Sequence, residues 1–250
     1  MFKLILELKA LNDVSYSDFV KKYPKIFNAF LYTHSKTLFK KHNEKNYRLL
    51  TFTKLFEIKN NKIIHDNKYY VVIISPYKDV IYELFNNFKN NNSNIMLGEG
   101  LFKINNVKKK LREKIKNFET IVLQTPVVIT KQDEKIKTLT FEKNKDEYLD
   151  LLRKNMIKKY NFYYNTEIPE DFNIFNNVNV KSKGSFSTPT GYGNFYVGSE
   201  LIFELGALSN IQKRIFQLSF NCGFGEKTAL GFGFPELKQK YNYEDYFKNE

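Results

Sequence analysis

The sequence contains one cysteine, no tryptophan and six prolines among 250 residues. The single thiol, Cys222, cannot form an internal disulfide, and it excludes a zinc site built from several cysteines. No stretch approaches the roughly 20 consecutive apolar residues that a membrane span requires. The N-terminal segment has a short apolar run interrupted by Glu7 and Lys9, so we expect a first strand there and no signal peptide. These absences predict a globular, cytoplasmic protein.

Positive charge is in excess over the chain as a whole. Lys and Arg total 40 against 27 Asp and Glu, which gives a net charge of +13 and a pI near 9.4. Such an excess favours a polyanionic partner, either nucleic acid or an anionic membrane surface. Lysine- and asparagine-rich composition is also what AT-rich coding DNA produces, so charge alone leaves a compositional bias open. We take nucleic acid as the favoured partner and expect no membrane partner.

The hydrophobic pattern predicts the order β, α, β, β, α, β twice along the chain. Alternation over residues 2–9 predicts the first strand, and the strand-like segment 118–130 opens the second half. The predicted fold class is α+β, with two tandem ferredoxin-like domains whose topology also underlies RNA-recognition modules. We place the domains at residues 1–117 and 118–250, with a central cleft between them.

Glycine is scarce, 11 in 250 residues, yet four glycines lie in the stretch NCGFGEKTALGFGFPE at 221–236. A dinucleotide-binding loop would need a third glycine where Thr228 stands, and it would open a helix instead of following one. A P-loop is excluded because Glu226 separates Gly225 from Lys227. A left-handed helix cap explains one or two of the glycines but not the paired G-F-G triplets.

The segment GFGEKTALGFGF resembles the C-terminal loop of the repeat-RNA-processing endoribonucleases of CRISPR systems, which belong to the repeat-associated (RAMP) superfamily. QTPVVIT at 124–130 is similar to the strand that opens the second domain of that family, and the segment 28–56 resembles its N-terminal stretch. The resemblance implies tandem ferredoxin-like domains and cleavage of precursor RNA within each repeat. It also implies attack by a ribose 2′-hydroxyl, a 2′,3′-cyclic phosphate and a 5′-hydroxyl as products, and no metal or other cofactor.

The implied reaction needs acid–base groups near the reacting oxygens and cations on the phosphate. Three histidines compete for the acid–base role. His65 lies in a polar turn between strands, and His34 follows the first helix. His42 lies in a basic segment, and its spacing to Arg48 matches the family pattern, so we favour His42 and keep His34 open. Arg48 is the candidate for charge stabilisation with Lys45 in reserve, and we predict no metal ligand.

RNA contacts are predicted mainly in the second domain, where glycines would let backbone N–H groups approach phosphates. The predicted RNA-binding residues are Lys181, Lys183, Gly223, Gly225, Lys227, Gly231 and Gly233. The linker cations Lys108 to Lys110 and Arg112 would track the phosphate backbone, unless they form an ordinary solvated charge run.

Two other functions stay open. A non-catalytic subunit of the same superfamily would hold guide RNA within a larger complex, and the lack of the family's proline after Arg48 favours that alternative. A basic RNA-binding module unrelated to CRISPR would show broad affinity with steep salt dependence. The expected partners are repeat RNA within its precursor transcript and other CRISPR-associated subunits, and the sequence leaves homodimer formation undecided.

Overall fold

The computed structural model describes residues 1–43, 48–56, 62–90, 94–132, 136–191 and 194–238. Within these ranges the helices are α1 (Tyr16–Thr33), α2 (Lys36–Asn43), α3 (Lys78–Lys89), α4 (Lys145–Tyr164) and α5 (Asn210–Cys222), with a 3-10 turn at Thr228–Leu230. The strands are β1 (Phe2–Ala10), β2 (Val14–Ser15), β3 (Thr51–Phe52), β4 (Lys62–Ile63), β5 (Lys68–Ser75), β6 (Asn94–Leu97), β7 (Gly100–Leu111), β8 (Thr120–Leu123), β9 (Ile129–Gln132), β10 (Ile136–Leu139), β11 (Val178–Gly191), β12 (Asn194–Leu205) and β13 (Pro235–Leu237). None of the helices in these ranges combines the length and apolar character needed to cross a membrane.

The first half of the chain forms a five-stranded antiparallel sheet in the order β3-β5-β1-β7-β6. With the edge strand β6 set aside, this is the ferredoxin-like arrangement of a βαββαβ unit. Alternation along β1 directs Leu4 and Leu6 toward α1 and α3, where they share a buried cluster with Phe27 and Leu84. The same alternation directs Ile5 to the opposite face of the sheet.

The second half repeats the arrangement with a four-stranded sheet in the order β11-β12-β8-β13. Leu152 of α4 and Phe216 of α5 pack with Phe203 of β12 in its core. Helix α5 begins at a capping box in which the side chains of Ser209 and Gln212 each bond the other's backbone. The predicted α+β class with two tandem ferredoxin-like units is confirmed, and the boundary between residues 117 and 118 stays a prediction.

The two units meet on the face of the first sheet that lies opposite α1 and α3. Phe234, near the end of the glycine-rich stretch, is buried there against Ile5, Tyr70, Val72 and Ile74. The glycine-rich stretch therefore belongs to the contact between the units as well as to the second unit.

Arg112 is buried, at 6% exposure, so the expectation that it tracks an RNA backbone is wrong. Its guanidinium donates to the carbonyl oxygens of Phe220, at 3.2 Å, and of Pro235. The guanidinium carbon also lies 3.9 Å from the ring centroid of Phe220, a cation–π contact. Arginine keeps its charge when buried, and here backbone carbonyls and an aromatic ring replace the water it loses.

Arg112→Ala is expected to lower the free energy of unfolding by about 2 kcal/mol or more, because buried carbonyls lose their donor and Phe220 loses its cation. Denaturant unfolding followed by circular dichroism measures the change. Lys114→Ala, an exposed neighbour, should stay within about 0.5 kcal/mol of the wild type. Equal stability of the two variants would contradict the role given to Arg112.

Candidate functional site

Residues 223–234 form a loop between α5 and β13, which we call the glycine loop. It packs on strand β3 of the first unit, where the Thr51 hydroxyl donates to the carbonyl oxygen of Phe232 at 3.0 Å. Within the loop, the N–H of Phe224 donates to the carbonyl oxygen of Gly233 at 2.9 Å. The N–H of Gly233 in turn donates to the carbonyl oxygen of Pro126 at 2.9 Å. The loop is thus tied to the first unit, to itself and to the segment before β9.

The backbone angle φ is positive at all four loop glycines, at +90°, +72°, +83° and +63° in chain order. Two of them show why only glycine fits. A Cβ at Gly231 would lie 2.9 Å from the ring of Phe52 and 3.1 Å from its carbonyl oxygen. A Cβ at Gly233 would lie 1.9 Å from the carbonyl oxygen of Phe224. These glycines permit close approach between protein segments.

Three of the four loop glycines use their backbone N–H groups inside the protein. The bonds run from Gly223 to Ser219, from Gly231 to Thr228 and from Gly233 to Pro126. RNA phosphates could reach those three N–H groups only after these bonds broke. Of the four, Gly225 alone has an N–H without a hydrogen bond in the described part of the chain. RNA contact by the glycines stays a prediction, and the geometry gives three of them a role in shaping the loop.

A buried lysine on α4, Lys159, holds the start of the glycine loop. Its amine donates to the carbonyl oxygens of Gly223 at 3.0 Å and of Gly225 at 2.5 Å. Burial lowers the pKa of the Lys159 amine, while the nearby Cys222 and Glu226 act in the opposite direction. The lysine therefore supports the backbone of the loop from inside the protein.

An open pocket of about 440 Å³ lies over the loop, and we call it the glycine-loop pocket. Its lining residues are Arg48, Asn155, Lys159, Tyr196 and the loop residues 225–230. Arg48 from the first unit and Lys227 from the loop are both exposed here. The Lys227 amine lies 5.6 Å from the ring centroid of Tyr196. The acid in this pocket, Glu226, accepts a 2.6 Å hydrogen bond from the hydroxyl of Thr130. Two exposed cations on one pocket form a surface suited to an anion.

The predicted acid–base residue His42 lies in the last turn of α2, six residues before Arg48 in the chain. Its side chain falls outside the part that the structure describes, as does the whole of Lys45. Arg48 itself lies with its guanidinium carbon 6.0 Å from the ring centroid of Tyr32 on α1. The structure thus brings Arg48 and Lys227 to one pocket, and the role of His42 stays a prediction.

The two other histidines have different surroundings. The Nδ1 atom of His34 lies 2.8 Å from the carbonyl oxygen of Phe30, and the two rings pack at 4.3 Å between centroids. His34 lines a separate open pocket together with Asn87 and Met96. His65 is exposed, and its Nδ1 atom lies 3.7 Å from the carboxylate of Asp66. Neither residue lines the glycine-loop pocket.

Helix α2, which carries His42, is held at its N-terminus by Glu83 of α3. One carboxylate oxygen of Glu83 accepts from the N–H of Lys36 at 2.8 Å. The other accepts from the Ser35 hydroxyl at 2.7 Å and from the N–H of Thr37 at 3.1 Å. Burial alone would raise the pKa of Glu83, but these hydrogen bonds outweigh burial and lower the pKa below its usual range. A carboxylate at this position also complements the positive end of the helix.

The predicted RNA-binding lysines Lys181 and Lys183 are both exposed on β11. The Lys181 amine lies 2.6 Å from the carboxylate of Glu204 and lowers the pKa of that carboxyl through the hydrogen bond. Neither lysine is among the described residues that line the glycine-loop pocket. The structure does not bring them to the site that Arg48 and Lys227 share.

Lys159 and Tyr196 are among the residues of this pocket that sequence reasoning missed. Lys159 did carry a signal, because it lies three residues after Met156 and seven after Leu152, on the apolar face of α4. A lysine on such a face needs buried acceptors, and the loop carbonyls provide them. Tyr196 carried no comparable signal, since a tyrosine in a strand is ordinarily a packing residue.

A family model described as CRISPR associated protein Cas6, C-terminal, matches residues 106–237, more than half of the chain. The chain belongs to the Cas6 family. The resemblance inferred from the paired glycine triplets is thereby confirmed.

Two relatives in Methanocaldococcus jannaschii are similar to this Cas6 family member over most of their length. The CRISPR-associated endoribonuclease Cas6 2 is 25% identical over 215 residues, which cover 77% of this chain and 82% of the relative. The CRISPR-associated endoribonuclease Cas6 1 is 25% identical over 210 residues, which cover 77% and 74%.

Solved structures share the fold at low sequence identity. A Cas6-related protein from Pyrococcus furiosus superposes with a TM-score of 0.72 at 20% identity, covering 96% of this chain and 99% of that one. A RAMP protein that binds different RNA substrates gives 0.73 at 18% identity, with 96% and 100% covered. A Cas6 product complex gives 0.58 at 15% identity, with 94% and 98% covered. At these identities the likeness shows the shared fold.

Gly233→Ala is expected to destabilise this Cas6 family member by several kcal/mol, about 3 or more, because the new methyl group would overlap the carbonyl of Phe224. Gly98→Ala is the matched control. Gly98 has nearly the same φ, +67° against +63°, but the nearest atom to a Cβ there is 3.4 Å away. Gly98→Ala should therefore lose only about 1–2 kcal/mol, the cost of left-handed backbone. Thermal melting of both variants measures the difference, and equal losses would show that the clash relaxes at no cost.

Glu83→Gln is expected to lower stability by about 0.5–2 kcal/mol at neutral pH, since α2 loses a charged N-terminal partner. Because the pKa of Glu83 is lower in the folded protein than in the unfolded chain, its carboxylate contributes fully to stability above the unfolded pKa of about 4.3. That contribution is lost as the pH falls through the folded pKa. The difference in the free energy of unfolding between wild type and variant should therefore become smaller below about pH 4, which urea unfolding at a series of pH values measures. Glu167→Gln, at an exposed site, should be as stable as the wild type. A stability loss in Glu83→Gln that did not change with pH would contradict the charge-based explanation.

Proposed function

We propose that this chain is a CRISPR repeat-RNA endoribonuclease, which binds repeats in a precursor transcript and cleaves within each one to give guide RNAs. The observation that carries the proposal is the glycine-loop pocket, where Arg48 of one unit and Lys227 of the other form a single cationic surface. The family match supports it. So do the names of the two relatives, which are CRISPR-associated endoribonucleases, and the product complex among the structural neighbours.

The proposed reaction is a transesterification in which the RNA supplies its own nucleophile. The 2′-oxygen attacks the adjacent phosphorus, and the bond from phosphorus to the 5′-oxygen breaks. A base takes the proton of the 2′-hydroxyl, and an acid gives a proton to the departing 5′-oxygen. The products are a 2′,3′-cyclic phosphate and a 5′-hydroxyl. Since the nucleophile is a substrate hydroxyl and the protein provides cations, we propose the reaction without a metal ion.

Arg48 is proposed to bind the scissile phosphate. A guanidinium matches two phosphate oxygens with parallel hydrogen bonds, and it stays charged throughout the reaction. Negative charge grows on the phosphate oxygens as the 2′-oxygen attacks, so a cation fixed beside them stabilises the transition state. Lys227, from the second unit, and Lys45 are proposed as further cations for the same charge.

His42 is proposed as the acid–base residue in preference to His34. His34 packs on Phe30 and lines a pocket with residues of α3 and β6, away from the lining of the glycine-loop pocket. His42 lies on α2, the helix that precedes Arg48 in the chain. The hydrogen bonds of the Glu83 carboxylate fix where that helix begins. The surroundings of His34 and the position of α2 therefore favour His42 as the acid–base residue.

A second candidate function is a non-catalytic subunit that holds guide RNA for other CRISPR-associated proteins. The specific observation in its favour is that Leu49 follows Arg48 where the family pattern has a proline. RNA binding would then use the same pocket and loop, and only cleavage would be missing.

Cleavage of the cognate repeat RNA, in EDTA and under single-turnover conditions, tests the proposal. His42→Ala is expected to lower the cleavage rate by about 10²–10⁴-fold and to leave RNA affinity within a few-fold, because it removes a proton-transfer group. His34→Ala and His65→Ala are the matched controls and should cleave within a few-fold of the wild type.

A single 2′-deoxy substitution at the cut site should abolish cleavage, because it removes the nucleophile. Cleavage of that RNA, or a His42→Ala variant as fast as the wild type, would contradict the mechanism. Tight binding of repeat RNA with no cleavage by the wild type would instead establish the non-catalytic alternative.

A further inference from the structure

A second pocket, of about 210 Å³, lies between α1, β11 and the glycine loop, and we call it the aromatic pocket. Its lining includes four aromatic residues, Tyr16 and Tyr23 of α1, Phe52 of β3 and Phe232 of the loop. It is smaller than the roughly 300–1,000 Å³ of pockets for drug-sized ligands. Tyr23, Phe52 and Phe232 are at most 2% exposed, so the half-buried Tyr16 is the one of these four rings that a ligand could pack on. The size of the pocket suits one planar ring system.

Polar groups are few in the aromatic pocket and come from three sides. Ser187 and Thr188 of β11 are both in the lining, and because side chains alternate along a strand, one of their two hydroxyls faces the pocket. The exposed Lys54 adds a cation after β3. Thr125 contributes a hydroxyl from the segment after β8, where it already accepts a hydrogen bond from the N–H of Phe234 at 2.9 Å. A planar ligand with hydrogen-bonding edges and a negatively charged neighbour matches this set of groups.

The aromatic pocket adjoins the glycine-loop pocket. Leu230 lines both of them. Phe232, on the wall of the aromatic pocket, packs edge-on against Tyr196 of the glycine-loop pocket, with 5.8 Å between ring centroids. The amine of Lys227 lies over the same Tyr196 ring. A nucleic-acid strand whose phosphate lies at Arg48 and Lys227 would therefore pass the mouth of the aromatic pocket.

Attack of a 2′-oxygen in line with the leaving 5′-oxygen requires the nucleotides at the cut to leave the stacked helical conformation. A protein can favour that geometry by taking a neighbouring base out of the stack and holding it between aromatic or apolar side chains. A base pocket beside a phosphate site would provide this effect.

We propose that the aromatic pocket binds one unstacked nucleobase of the RNA strand whose phosphate occupies the glycine-loop pocket. The base packs on the half-buried ring of Tyr16 beside Val20, and one of the hydroxyls of β11 contacts its edge. The pocket thereby selects the base at one position of the RNA, while the phosphate site is indifferent to sequence. This inference rests on the proposed function, because it takes single-stranded RNA as the ligand.

The test measures base preference with variants that fill the pocket from opposite walls, Ser187→Phe on β11 and Val20→Phe on α1. Neither position is in the core, Ser187 being exposed and Val20 half-buried, and thermal melting checks that both variants fold. The probes are 2′-fluoro decamers of A, C or U, which cannot be cut by 2′-oxygen attack, with affinity read by fluorescence anisotropy. Ala29→Phe, an exposed site on α1 outside the pocket lining, is the control for a new phenylalanine.

The wild type and Ala29→Phe should bind one decamer about ten-fold or more tightly than another, the size of effect that base stacking on aromatic side chains gives. Ser187→Phe and Val20→Phe should both reduce that preference to about two-fold. Lys227→Ala should weaken all three decamers alike and lower the dependence of affinity on salt.

A wild type without base preference, or filled variants that keep it, would overturn the proposal. Neither result depends on cleavage. If the wild type does not cleave repeat RNA but the filled variants lose the base preference, the proposed function is wrong and the pocket proposal stands. If the wild type cleaves repeat RNA but the filled variants keep the base preference, the pocket proposal is wrong and the proposed function stands.

Discussion

The candidate site depends on how closely the glycine loop approaches strand β3. A Cβ at Gly231 would meet both the ring and the carbonyl of Phe52, and the Thr51 hydroxyl donates a hydrogen bond to the carbonyl of Phe232. A side chain at Gly231 would separate the two surfaces and break that hydrogen bond. Because Arg48 stands only three residues before β3, the same contact brings Arg48 and Lys227 to one pocket. The glycines therefore affect the candidate site through packing, because they allow the close contact that places Arg48 of the first unit and Lys227 of the second on one pocket.

Two buried cations flank this contact. Lys159 binds carbonyls at the start of the glycine loop, and Arg112 binds the carbonyl of Pro235, just after its end. In each, backbone carbonyl oxygens stand where a counter-ion would be expected, so hydrogen bonds offset part of the desolvation. Burial lowers the pKa of the Lys159 amine, because the protein interior disfavours its charged form. Arginine keeps its charge when buried, and charges in a low-dielectric interior are poorly screened, so Arg112 adds to the positive potential that the exposed cations present to an anion.

Much of the fold could be predicted from sequence, because period-2 and helical patterns in each half give the βαββαβ order. The paired G-F-G triplets identified the family, yet they pointed to amide–phosphate contacts, whereas three of those amides donate inside the protein. Sequence could not tell that Arg112 is buried, since a basic run looks the same whether its members face water or backbone carbonyls. It could not find the aromatic pocket either, because Tyr16 and Ser187 meet only after the two units have packed.

The two groups proposed for catalysis are neighbours in sequence but are held by different parts of the molecule. His42 lies on α2, whose start is fixed by Glu83 within the first unit, whereas Arg48 precedes β3, which pairs with β5 in the first sheet and packs on the glycine loop of the second unit. The geometry between these two groups and the second unit's cation, Lys227, is thus a property of the docked pair of units. A strand of RNA that touched the first unit at Arg48 and the second at Lys227 would bind that docked arrangement better than any looser one. By linkage, such an RNA would stabilise the geometry that its own cleavage requires.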